Sequence, residues 1–179
     1  MTIPNMLSFL RIALIPVFIA VYFNTPAEGV ALWPIVILLV SGFTDVLDGF
    51  IARRFNMISD LGKMLDPVAD KLTQLAVMVC LVSRFRLMII PVVIIVIKEL
   101  VTGIMSLAAV KKSGVVEGAV WHGKLNTVIL YAVMVLHVIW IDIPDAVSCV
   151  LMVLSSMMML FSAVMYFKRN MKALRREHK

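Results

Sequence analysis

Apolar residues run through this chain in six long blocks separated by short polar breaks. The blocks cover Leu7–Phe23, Val30–Ile51, Leu65–Val82, Leu87–Val110, Val128–Ile143 and Ala146–Phe167. A bilayer crossing needs roughly 20 apolar residues in a row. The first and fifth blocks reach that length only by extending into their polar flanks. The pattern predicts an all-α integral membrane protein with six transmembrane helices. It forms one domain over residues 1–179, with a basic tail at 168–179. No linker, low-complexity segment or internal repeat interrupts it.

Composition supports the bilayer as solvent. Hydrophobic residues make up 62% of the chain and charged residues 16%, against roughly 45–50% and 25% in soluble domains. The first apolar block lacks the charged start and small-residue cleavage site of a signal peptide. Cys80 and Cys149 lie inside apolar runs with no metal or redox spacing, so both are expected to be packing residues.

Charge sets the orientation. Arg53, Arg54 and Lys63 fall in the second loop, Lys111, Lys112 and Lys124 in the fourth, and Lys168, Arg169, Lys172, Arg175, Arg176 and Lys179 in the tail. In a six-span arrangement these share one side with both termini, and the positive-inside rule makes that side cytoplasmic. Arg84 and Arg86 in the third loop dissent. The expected location is the inner (cytoplasmic) cell membrane. A basic tail directly after a span suits anionic lipid better than nucleic acid.

Four carboxylates bracket the second loop. Asp45 and Asp48 stand three apart at the end of the second block, and Asp66 and Asp70 stand four apart at the start of the third. Both spacings put a pair on one helix face. Antiparallel helices joined by a cytoplasmic turn would bring the pairs to one level. Four like charges near a bilayer repel and are costly to bury, unless a cation offsets them. Oxygen-only ligation favours Mg²⁺, Mn²⁺ or Ca²⁺ over zinc. Gly49 and Ala52 leave the helix face bare beside Asp48, and Arg53, one turn beyond Gly49, can pair with phosphate through two hydrogen bonds. Gly62 would let the chain turn closely before Asp66. A plainer reading makes Asp66, ahead of Pro67, a helix cap, but capping does not explain the whole set.

The stretch Asp45-Val-Leu-Asp48-Gly49-Phe-Ile-Ala52-Arg53, then Gly62, Asp66 and Asp70, resembles the signature D-x-x-D-G-x-x-A-R-x8-G-x3-D-x3-D of the CDP-alcohol phosphotransferases. Every specified position matches. The opening Ile3-Pro4-Asn5-Met6-Leu7-Ser8-Phe9-Leu10-Arg11 looks like the start of the family's phosphatidylglycerophosphate synthase branch. The resemblance implies transfer of a phosphatidyl group from CDP-diacylglycerol to an alcohol, with release of CMP. It implies that Asp45, Asp48, Asp66 and Asp70 bind one or two divalent cations, Mg²⁺ or Mn²⁺, at the cytoplasmic end of helices 2 and 3. It implies CDP contacts from Gly49 and Arg53, and more weakly from Asn5 and Ser59. Asp70 would be the general base, and the family's habit is to form homodimers.

The acceptor alcohol is less sharply marked. Lys98 and Lys124 are the candidates for binding an acceptor phosphate, since a lysine within a span is expensive and usually functional. The plainer readings are a Lys98–Glu99 pair and a solvated helix end at Lys124. Members of the branch usually show Arg-Glu-Ile and Gly-Lys-x-Lys-Thr where this chain has Lys98-Glu99-Leu100 and Gly123-Lys124-Leu125-Asn126-Thr127. The fewer cations weaken glycerol 3-phosphate as acceptor, while the amino-terminal segment favours it. Phosphatidylglycerol (a cardiolipin synthase-type reaction), inositol phosphate and serine stay open. His122 is expected in a polar loop and His137 in helix packing, and the run Met157–Met159 also reads as packing. A divalent-cation transporter is the rival of another class, but no inverted repeat or midplane acid supports it. An aromatic prenyltransferase would hold its aspartate motifs far apart.

Overall fold

The computed structural model describes residues 3–26, 31–55, 60–113 and 121–175. Their regular elements are all helical: α1 Ile3–Asn24, α2 Leu32–Arg54, α3 Asp60–Val82, α4 Ile89–Ser113, α5 Trp121–Ile139 and α6 Asp145–Arg175. A 3₁₀ turn at Arg86–Met88 leads into α4. Helices are what an apolar solvent demands, because each backbone N–H and C=O must find its partner within the segment. Hydroxyls follow the same rule. Thr44 donates to the Ser41 carbonyl at 2.7 Å, Thr73 to Ala69 at 2.9 Å and Ser155 to Met152 at 3.0 Å. Pro16 and Pro67 lie inside α1 and α3, where each removes one ladder bond.

The chain divides into two compact units, Met1–Arg86 with Met134–Ile143, and Leu87–Val133 with Pro144–Lys179. In the first unit α1 packs along both α2 and α3. Ser8 and Arg11 near the start of α1 reach the first half of α3 and the second half of α2, respectively. The other end of α1 meets Arg84, just past the end of α3. α1 and α3 therefore run parallel, with α2 antiparallel to them. In the second unit α4 packs along α6.

Many polar side chains are buried beside the apolar core, and many large apolar ones face outward. Ser8, Arg11, Ser41, Thr44, Asp48, Thr73 and Gln74 are buried in the first unit, while Phe9, Leu39, Phe43 and Val46 are exposed. In the second unit Lys98, His122, Asn126, Ser162 and Asn170 are buried, while Ile97, Ile104, Val153 and Leu160 are exposed. Among the described residues, four helices are long and apolar enough to cross a membrane: Asn5–Asn24, Arg86–Ala108, Trp121–Ile139 and Asp145–Met171. This is the layout of a multi-pass membrane protein. α2 and α3 are not among these four. α3 carries Asp60, Lys63, Asp66, Asp70 and Lys71 in its first half.

The helices depart from the apolar blocks in instructive places. α5 starts at Trp121, ahead of the expected Val128, because His122, Gly123, Lys124 and Asn126 are wound into the helix. It ends at Ile139, ahead of a turn and Pro144. α6 runs past Phe167 to Arg175, so this part of the basic tail is helical. α3 begins at Asp60, so Asp66 and Pro67 sit within the helix and Asp66 is not its cap. Gly62 is likewise helical and not a turn.

Of the two dissenting arginines, Arg84 has structural partners. Arg84 donates to the Thr25 carbonyl at 2.9 Å, and its guanidinium lies 4.7 Å from the centre of the Tyr22 ring. A cation held by a carbonyl and a ring face carries structural work.

Candidate active site

Each aspartate of the motif is held by another side chain. Arg11, with a fully buried side chain, lies 2.7 Å from Asp45 Oδ1 through Nη1. Its Nη2 donates to Asp48 Oδ2, and the Asp48 side chain is only 3% exposed. Ser8, one turn earlier on α1, donates through Oγ to Asp66 Oδ1. Gln74, one turn beyond Asp70 on α3, donates through Nε2 to both Asp70 oxygens at 3.0 and 3.1 Å.

α1 is thus the common element of the site. It touches the α2 pair through Arg11 and the α3 pair through Ser8. The sequence reading joined α2 and α3 by a turn and brought their aspartate pairs to one level. Among the described residues the close helix contacts in this unit are α1 with α2 and α1 with α3. Asn5, Ser8 and Arg11 are all buried, on successive turns of α1. Asn5 was an expected CDP contact. Ser8, Arg11 and Gln74 were missed, although polar residues on successive turns of an apolar helix are costly in lipid, and that signal could have found them.

Other expected residues are less fully seen. Gly49 and Arg53 lie in the last turns of α2, and the Arg53 side chain and Gly49's surroundings are outside the described residues. Ser59 is outside the described residues altogether.

Among the described residues, no group of three or more His, Cys, Asp or Glu side chains is placed to hold a metal ion. The donor chemistry is still that of a hard cation site. It offers carboxylate oxygens on two helices that both pack against α1, with no thiol or imidazole among them. Arg11 pairs with Oδ1 of Asp45 and Oδ2 of Asp48. In donor type the residues therefore fit Mg²⁺ or Mn²⁺. A shared ion would require the two pairs to draw together.

The second unit gathers cations separately. Lys98 is buried and its Nζ lies 2.7 Å from Glu99 Oε1, so the plain pairing is present. Lys124 is exposed at the start of α5. His122 is not a loop residue. It is buried in α5 with its ring 4.9 Å from that of Tyr166, and it is within electrostatic reach of Arg169 and Lys98. Arg169 lies 4.9 Å over the Tyr166 ring. A cavity of about 500 Å³ between α4 and α6 has mostly apolar walls, with Lys98, Thr102, Lys168 and Asn170 as its polar members. His137 does pack, edge-on to Phe85 at 4.9 Å.

Gly123 makes the His122 cluster possible. A methyl there would run into the Tyr166 hydroxyl and lie 3.0 Å from Cζ. Gly123→Ala should therefore displace Tyr166 and cost about 1–3 kcal/mol, the usual range for overpacking. Thermal unfolding in detergent should show the loss, and Tyr166→Phe should relieve part of it.

The profile of the family described as CDP-alcohol phosphatidyltransferase matches residues 1–167. A CDP-diacylglycerol–glycerol-3-phosphate 3-phosphatidyltransferase of Rickettsia typhi is 30% identical over 175 residues, covering 93% of this chain and 95% of that protein. A protein of the same description from Rickettsia bellii is 37% identical over 115 residues, 63% of this chain and 62% of that one. A putative cardiolipin synthase of Mycobacterium tuberculosis is 47% identical over 77 residues, 43% of this chain and 35% of that protein. The chain thus spans under two thirds of the length of the last two.

Proposed function

Because the chain belongs to the CDP-alcohol phosphatidyltransferase family, we propose that it is a phospholipid-synthesis enzyme that transfers the phosphatidyl group of CDP-diacylglycerol to glycerol 3-phosphate. The acceptor hydroxyl oxygen bonds to the phosphorus next to diacylglycerol. The bond from that phosphorus to the CMP oxygen breaks, and CMP leaves with the bonding pair. Asp70 takes the hydroxyl proton. Gly49 and Arg53, with Asn5 and Ser59, receive the CDP group. A divalent cation held by Asp45, Asp48, Asp66 and Asp70 would offset diphosphate charge.

The observation that carries this reading is the complete motif from Asp45 to Asp70, set on two helices that one polar stripe of α1 joins. Capping or chance burial would not bring both aspartate pairs to one helix.

For the acceptor, support comes from the Rickettsia typhi relative, which is matched over nearly its whole length. Lys98 and Lys124 remain the candidates for the acceptor phosphate, and they are joined by buried His122 and by half-buried Arg169 over the Tyr166 ring. The mycobacterial relative and Asn126, where the branch usually has lysine, favour phosphatidylglycerol as the second reading. The same proposal has α2 and α3 cross the bilayer as well. α2 has 23 residues and so measures about 35 Å at 1.5 Å per residue, beyond the roughly 30 Å of a hydrocarbon core. It also has both termini and the aspartates on the cytoplasmic side of the inner membrane, and the protein a homodimer.

The test is CMP release by purified protein given CDP-diacylglycerol and a panel of alcohols. Glycerol 3-phosphate should support turnover, and Lys98→Gln should raise its KM about tenfold or more, as expected for losing a charge-assisted contact of about 1.5–3 kcal/mol. Turnover with phosphatidylglycerol alone would move the assignment to a cardiolipin synthase. No CMP with any alcohol would end it.

A further inference from the structure

We infer that Arg11, with Ser8, is a positioning residue for the aspartate site, so that α1 supplies the outer shell that aims the carboxylates of both α2 and α3. The inference rests on the metal reading of those aspartates and says which residues make it work.

The geometry is specific. A guanidinium is a rigid planar fork. Arg11 donates through Nη2 to Asp48 Oδ2, and its Nη1 forms an ion pair with Asp45 Oδ1 at 2.7 Å. Two carboxylates three residues apart are thereby paired with one rigid group. Free aspartates on a helix would each choose among rotamers. Tied to one fork, they hold a fixed relation to each other.

Ser8 extends the device to the other pair. It stands three residues before Arg11 and donates to Asp66 Oδ1. Ser8 and Arg11 are both 0% exposed, and nothing in solvent competes for them. One rigid helix therefore sets the position of the α2 pair relative to the α3 pair. Ligating carboxylates in metal sites are held in this way by outer partners, whose loss costs about 10–100-fold in metal affinity.

Charge gives the opposing expectation. Arg11 is itself a cation beside the site. Were it merely a stand-in for the metal, removing it would tighten metal binding. Were it merely structural, removing it would lower the amount of folded protein and leave the affinity of the folded fraction unchanged. Positioning alone predicts weaker binding by folded protein.

The experiment is Mn²⁺ titration of detergent-purified protein, read by loss of the free-ion paramagnetic resonance signal. It compares the parent with Arg11→Gln, Arg11→Lys and Ser8→Ala, after size-exclusion chromatography to select folded material. Arg11→Gln should weaken Mn²⁺ binding about 10–100-fold, Arg11→Lys less, and Ser8→Ala by a smaller factor that still exceeds error. Should Arg11→Gln fail to fold, Arg11→Lys and Ser8→Ala carry the comparison. Unchanged or tighter binding in the folded variants overturns the inference and leaves the metal reading intact. A parent protein that takes up no Mn²⁺ overturns both.

Discussion

Asp70→Asn should lower CMP release by about 10²–10⁴-fold, the usual worth of a positioned general base, while the protein remains helical and folded. Asparagine keeps the size and one carbonyl oxygen, so Gln74 can still donate to it from one turn away. What disappears is the ability to accept the hydroxyl proton. The contrast with Gln74→Ala makes the test sharp. That change loosens Asp70 without removing its basicity, and should cost far less in rate. Turnover of Asp70→Asn within a factor of a few of the parent would remove Asp70 from the base role and leave it a ligand or an anchor. Circular dichroism on the same samples separates a chemical loss from unfolding.

A second large effect should appear in stability. Asp48 is nearly buried and Arg11 wholly so. Replacing Asp48 by leucine leaves the guanidinium with Asp45, whose side chain is 45% exposed. Breaking a buried ion pair by removing one partner costs about 3–5 kcal/mol, which for a chain of this length lowers the unfolding midpoint by on the order of 10 °C. Asp45→Asn should do much less, because a pair with a half-exposed partner contributes about 0–1 kcal/mol. Equal midpoints for Asp48→Leu and Asp45→Asn would mean that burial of Asp48 adds nothing to the pairing. Among the described residues Arg11 Nε and Nη1 make no hydrogen bond, the contact of Nη1 with Asp45 being an ion pair, so this cation leans on few contacts.

Much of the architecture could be read from the chain because membrane helices announce themselves by length and apolarity. Six apolar blocks became six helices among the described residues, four of them long and apolar enough to cross a membrane, and the aspartate motif stood out as an excess of charge where charge is expensive. Three things were hidden. Block edges misled at α5, since His122 and Asn126 look like loop residues until their burial inside a helix is seen. The Asp66–Pro67 pair looked like a cap, since local preference cannot reveal that α3 begins a turn and a half earlier. The middle position of α1 was hidden as well. Spacing within a helix tells which residues share a face, but not which other helix that face meets. Ser8 and Arg11 stood in plain view beside Asn5, yet only three-dimensional packing gives them their partners.

The parallel pairing of α1 with α3 constrains the length of α1. Near its start it is fastened at Ser8 and Arg11, and at its finish through Tyr22 and the Thr25 carbonyl to Arg84. Each residue of an α-helix advances the face by about 100°. Adding or deleting one residue between Arg11 and Tyr22 would turn one fastening away from its mate while the other stayed engaged. This stretch behaves as a keyed shaft: it can change composition on its lipid side freely, but it can change size only by about a whole turn.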